Sequence, residues 1–145
     1  MNKILVAVDG SQTSRKALEF ASELAVKFDA QLHLLHVAHP LHQDKTLVLG
    51  GAAITVHASP DELEKAGRKV IDAARQVAER SGVTSITTES VPGDPASQIV
   101  EIAARQAVDT IVLGNRGLGG LAGLMLGSVS HKVNQLAHCT CITVH

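Results

Sequence analysis

"KILVAVDGS", residues 3–11, decides how the rest of the chain is read. Residues 4–8 are apolar in unbroken succession, with no polar alternation, as in a strand covered on both faces. The run ends in a carboxylate, Asp9, and Gly10-Ser11 then leads into a helix. That helix carries Ala17, Leu18, Ala21, Leu24, Ala25 and Phe28 at the spacing of a packed helical stripe.

The same alternation continues outward. "QLHLLHV" (residues 31–37) is a second strand. "SPDE" (residues 59–62) has the form of a capping box: Ser59 accepts from first-turn N–H groups, Pro60 suits the first helical position, and Glu62 reaches back. The helix it opens lines up Leu63, Ala66, Gly67, Val70, Ile71, Ala74, Val77 and Ala78, and stops near Gly82. "SITTESV" (residues 85–91) is a more polar strand, suited to a position near a sheet edge. Asp94 and Pro95 repeat the helix-start signal. "TIVLG" (residues 110–114) is a fourth, buried strand; a helix over residues 128–137 and a last strand, "CITVH" (residues 141–145), follow. Residues 39–59, with "TLVLGGAAITVHA" at their centre, hold no convincing element and are read as a mobile flap or a plain disordered loop.

Strands alternating with helices predict a single α/β domain over residues 1–145: an open, parallel, five-stranded, Rossmann-like sheet with helices on both faces. Right-handed crossovers favour the strand order 3-2-1-4-5. The order reverses between the first and fourth strands, and ligands of such sheets bind at the carboxyl ends beside that point. Asp9 and Gly114 lie there.

Composition narrows the partners. The 145 residues carry a formal net charge of −1, which gives no electrostatic case for nucleic acid or an anionic membrane. With two Phe and no Tyr or Trp, base stacking on aromatic rings is not available. The N-terminal apolar run is too short for a signal peptide, and no uncharged stretch is long enough for a membrane span, so the expectation is a soluble, cytoplasmic protein. Cys139 and Cys141 are read as inert, buried or half-buried thiols.

"LGNRGLGGLAGLMLGSVSHKV" (residues 113–133) holds six of the twelve glycines. A Walker A loop is excluded, since no Lys-Ser/Thr pair follows its glycines. "GLGGLA" (residues 117–122) matches the loose dinucleotide fingerprint, but that motif belongs after the first strand with an acid further on, and no Asp or Glu follows Asp109. The wider spacing is the informative one: Gly114, two residues, Gly117, nine residues, Gly127-Ser128. Glycines let backbone pass close to a phosphate chain, and Gly127-Ser128 opens a helix whose free N–H groups favour an anion. Ser128 and Ser130 add hydroxyls, and Arg116 and Lys132 sit in a segment free of acids.

The G-2x-G-9x-G-(S/T) pattern resembles the phosphate-loop motif of the ATP-binding branch of the universal stress proteins. "ILVAVDGS", "GDPASQIVEIA" and "TIVLGNRGLGGLAGLMLGSVSHKV" extend the resemblance over nearly the whole chain. It implies that Asp9 holds the ribose hydroxyls and that the backbone of Val37 meets the adenine edge, with Ala7 and Leu113 packed near the base. Gly114, Arg116, Gly117, Gly127, Ser128, Val129 and Ser130 would surround the phosphates. It implies ATP as ligand, with Mg2+ as the cation that phosphates usually bring, a homodimer through the C-terminal strand, and an unidentified protein partner in a stress response. Fast phosphoryl transfer needs a carboxylate near the γ-phosphate, and this loop has none, so at most slow hydrolysis is expected. Two other readings stay open. One is an interaction module with a degenerate loop. The other is a histidine-based metal protein using His33, His36, His39 and His42, with His57, His131, His138 and His145 elsewhere; residues three apart in a strand point to opposite faces, which favours ordinary surface histidines instead.

Overall fold

Ile4, Leu5 and Val6 have no exposed surface, and this places β1 (Lys3–Ala7) at the centre of the sheet. In the computed structural model of the chain, residues 1–39, 45–49, 51–56, 59–117 and 127–145 are described. After β1 come α1 (Gln12–Phe28), β2 (Gln31–Ala38), β3 (Lys45–Leu49), β4 (Ala52–Val56), α2 (Pro60–Arg80), β5 (Ile86–Pro92), α3 (Pro95–Arg105), β6 (Thr110–Gly114), α4 (Ser128–Leu136) and β7 (Thr140–Val144). The main sheet runs β5-β2-β1-β6-β7 with every neighbour pair parallel. Its strands in chain order therefore stand 3-2-1-4-5, as the alternation predicts.

Side chains of a strand alternate between faces, and β1 feeds two cores. Ile4, Val6 and Val8 pack with Ala17, Leu18, Ala21 and Ala25 of α1 and Ile71, Ala74 and Ala78 of α2. Leu5 packs on the other face with Ala96, Ile99, Ile102 and Ala103 of α3 and Val133 of α4. Truncating one of the fully buried Ile or Leu side chains to Ala costs roughly 2–5 kcal/mol in such a core. The helices start where the sequence marks them. The Ser59–Glu62 capping box is complete in both directions (2.9 and 3.3 Å). Asp94 accepts from the Ser97 backbone N–H (3.0 Å) and hydroxyl (2.7 Å).

Three expectations are corrected. Residues 45–49 and 52–56, expected to hold no element, pair antiparallel from Lys45↔Val56 to Leu49↔Ala52. That register leaves two residues between the strands, and Gly51 adopts φ +82. Gly50-Gly51 between two apolar runs was the available hairpin signal; residues 40–44, 50, 57 and 58 lie outside the described residues. Phe28, assigned to the packed stripe, is 49% exposed, because α1 ends there and Asp29 turns the chain in the left-handed region. His33 and His36 are not surface residues: β2 lies inside the sheet, and both are buried on its opposite faces. Among the described residues, no helix is long and apolar enough to cross a membrane.

Candidate functional site at the carboxyl ends of β1 and β6

The strand order reverses between β1 and β6, and the chain leaves both at the same end of the sheet. β1 stops at Ala7, and Val8 N–H makes the last bond to β2, donating to the Leu35 carbonyl (2.8 Å). Gly10 then adopts φ +83, a left-handed turn that a side chain would strain. This turn carries Asp9 over the start of α1. The Ser11 N–H donates to Asp9 Oδ1 (2.9 Å), and Ser11 Oγ caps α1 by accepting from Ser14 N–H (3.2 Å).

The glycine segment leaves β6 at Gly114. Asn115 N–H donates to the Val144 carbonyl (2.8 Å), and the Asn115 carbonyl accepts from Gly127 N–H (2.7 Å). The two ends of the segment are thereby joined at its neck. Ser130 Oγ, buried, donates to the carbonyls of Gly127 (3.0 Å) and Asn115 (3.3 Å) and reinforces the same junction. Its single proton is shared between these two carbonyls. Residues 118–126 lie outside the described residues.

The three motif glycines do different work. A Cβ on Gly114 would stand 2.8 Å from the Thr13 carbonyl carbon, 2.9 Å from its oxygen and 3.0 Å from Ser14 N. Gly114 thus lets β6 pack against the backbone of α1. A Cβ on Gly127 would meet the Asn115 carbonyl oxygen at 2.9 Å. On Gly117 it would meet the carboxylate oxygen Asp9 Oδ2 at 2.8 Å. Gly117 therefore brings the segment onto the acid at the end of β1.

α4 begins at Gly127, in extended conformation, with no side-chain cap. Its first turn contains no acid, so its N–H groups and the positive end of its dipole favour an anion. On the side of the sheet covered by α3 and α4, Ala7, Val37 and Val129 pack around a core that includes Leu113. In a parallel ladder both backbone groups of a residue point the same way and alternate along the strand. The Leu35 carbonyl faces β1, so the N–H and C=O of Val37 face the same way, past the last β1 rung. The parts thus assembled are a carboxylate, an apolar cluster with a backbone edge beside it, and a helix start with no side-chain cap and no acid in its first turn.

Two residues not assigned to this site from the sequence also reach this region. His36 Nδ1–H donates to the Val8 carbonyl (2.8 Å), just before Asp9. Thr13 Oγ1 donates to the Arg116 carbonyl. The only available signal was a third hydroxyl in the turn after Asp9.

The remaining titratable groups lie elsewhere. Burial lowers the pKa of His33, whose Nδ1 is 2.8 Å from Thr87 Oγ1 and whose Nε2 is 3.5 Å from Glu89. Burial pushes the Cys139 and Cys141 thiols up, away from reactivity. Among the described residues no group of three or more His, Cys, Asp or Glu could hold a metal ion. His42 and His57 lie outside them.

Residues 1–145 match the model of the universal stress protein family. Universal stress protein YxiE of Bacillus subtilis is 39% identical over 146 residues, spanning 99% of this chain and 98% of that protein. Universal stress protein MJ0531 of Methanocaldococcus jannaschii is 34% identical over 143 residues, 98% of this chain and 81% of that one. Among solved structures, a universal stress protein in complex with cAMP is 26% identical and superposes with a TM-score of 0.75, over 99% of this chain and 96% of that one.

Proposed function

Since the chain belongs to the universal stress protein family, we propose that it is an ATP-binding regulatory protein of the stress response, acting through nucleotide-dependent interactions. The observation that carries this reading is the meeting of Asp9 with Gly117 beside the uncapped start of α4. The similar protein in complex with cAMP supports an adenine nucleotide as the ligand class.

In this reading Asp9 accepts from the ribose hydroxyls and the Val37 backbone meets the adenine edge, with Ala7 and Leu113 against the base. Gly114, Arg116, Gly117, Gly127, Ser128, Val129 and Ser130 form the phosphate end. Gly117 and the N–H groups of α4 face the phosphates, while Gly114 and Ser130 shape the loop. Mg2+ accompanies ATP, held mainly by phosphate oxygens and water. Residues 110–145 contain no Asp or Glu, so no carboxylate there can orient the attacking water or hold the metal for fast phosphoryl transfer. Hydrolysis is accordingly slow, below the ~1 s⁻¹ of ordinary enzymes. β7 is an edge strand, and pairing with a second copy satisfies such an edge; a cytoplasmic homodimer with a further protein partner completes the proposal.

The test uses the absence of Tyr and Trp, which leaves the protein nearly transparent in the adenine band. An ultraviolet spectrum and mass analysis of the purified, denatured protein reveal carried nucleotide, and calorimetric titration with ATP measures affinity. Saturable binding of ATP is expected. No carried nucleotide together with no heat of binding overturns the reading.

A further inference from the structure

We propose that Thr13 is a positioning residue that clasps the glycine segment onto the Asp9 turn, resting on the nucleotide reading of that site. Thr13 Oγ1 has two polar neighbours, the Arg116 carbonyl oxygen and Ser11 Oγ at 3.2 Å. A carbonyl only accepts, so the Thr13 proton goes to Arg116, and the Ser11 hydroxyl must donate to Thr13. The Ser11 backbone N–H in turn donates to Asp9 Oδ1 (2.9 Å). The residue after Arg116 is Gly117, whose Cβ position lies 2.8 Å from Asp9 Oδ2.

Hydrogen bonds thus link Asp9 through Ser11 and Thr13 to Arg116, and the next residue, Gly117, passes close to the Asp9 carboxylate. A hydroxyl in the first turn of a helix ordinarily bonds within its own turn. This one reaches a carbonyl 103 residues away. Gly114 secures the same residue from below, because its lack of a side chain lets β6 lie directly on the Thr13 carbonyl. Thr13 thus joins the carboxylate assigned to the ribose, through Ser11, to the loop assigned to the phosphates, through Arg116. Losing the hydroxyl leaves the Arg116 carbonyl without this donor and lets Gly117 leave Asp9.

Thr13→Val keeps the shape and removes the hydroxyl; Thr13→Ser keeps the hydroxyl. In the ligand-free protein, Thr13→Val raises amide exchange at Gly127, whose N–H bonds the Asn115 carbonyl beside Arg116 (2.7 Å), by about threefold to tenfold, the net worth of one hydrogen bond. Thr13→Ser stays at the wild-type rate, and the amides of β1 and β2 are unchanged in both. Titration with ATP and with adenosine gives the coupling. Thr13→Val weakens ATP binding by the same factor while adenosine stays within about twofold. Unchanged exchange at Gly127, or equal weakening of ATP and adenosine, overturns the role of Thr13. If the wild type binds neither ligand, the nucleotide reading fails, and the clasp is decided by the exchange rates alone.

Discussion

α3 and α4 pack against each other on one face of the sheet, yet they begin in opposite ways. α3 starts on Asp94, whose carboxylate takes the Ser97 N–H and hydroxyl and closes the first turn from within. α4 starts on Gly127, which has no side chain to offer, and its place is fixed by backbone contact with Asn115. A self-capped start is finished as structure. A start held by its neighbours, with no side-chain cap of its own, leaves its donors to whatever the surrounding chain or a ligand brings. The same division runs through the glycines: Gly114 serves packing, whereas Gly117 faces a carboxylate.

Substitutions that separate the two roles test this contrast, and the largest effect belongs to Gly117→Val. The first atom its side chain meets is the movable end of Asp9, so the fold yields cheaply while the ribose and phosphate seats are filled. ATP binding, followed by calorimetry, is expected to fall by roughly a hundredfold, equivalent to ~3 kcal/mol of overpacking at the site, with the melting temperature nearly unchanged. Retained affinity would return this glycine to a packing role. Gly114→Ala reverses the pattern. Its methyl meets the backbone of Thr13 and Ser14, so about 1–3 kcal/mol of stability is lost in urea unfolding, including in the absence of nucleotide.

Smaller again is Asp94→Ala, expected to cost about 1 kcal/mol as a lost N-cap while leaving ATP affinity as it was. The Ser97 hydroxyl and N–H hold the Asp94 carboxyl below its usual pKa. Its contribution is therefore present above the ordinary carboxylate range and fades as pH falls through the lowered value. The smallest effect concerns His33, kept neutral mainly by burial. Below the unfolded pKa of about 6.5 the unfolded chain takes up a proton more readily than the folded one. Stability declines as pH falls through that range. Melting curves between about pH 7.5 and 5.5 should be flatter for His33→Leu than for the wild type; equal slopes would remove His33 as the cause.

Much of the architecture was legible in the sequence because it follows from local rules. The unbroken apolar run of β1 marked a central strand, and the Ser59 and Asp94 signals marked two helix starts that the structure retains. Alternation with right-handed crossovers then left one sensible sheet order. The hairpin β3–β4 escaped, since its only turn signal was a glycine pair inside a uniformly uncharged stretch. The burial of His33 and His36 escaped for a different reason. Position in the middle of a sheet, and not histidine's polarity, decided their environment.

By itself, the sequence determined the strands and helices of the main sheet's layers, where two of the helices are capped, and which end of the sheet holds Asp9 and Gly114. Periodicity and capping act over a few residues, so they can be read along a line. Only the tertiary structure decided that Gly114 meets α1, that Gly117 meets Asp9, and that Thr13 holds Arg116. Those contacts join residues about a hundred positions apart, and no local pattern encodes which backbone atom will stand opposite which side chain once the sheet has formed.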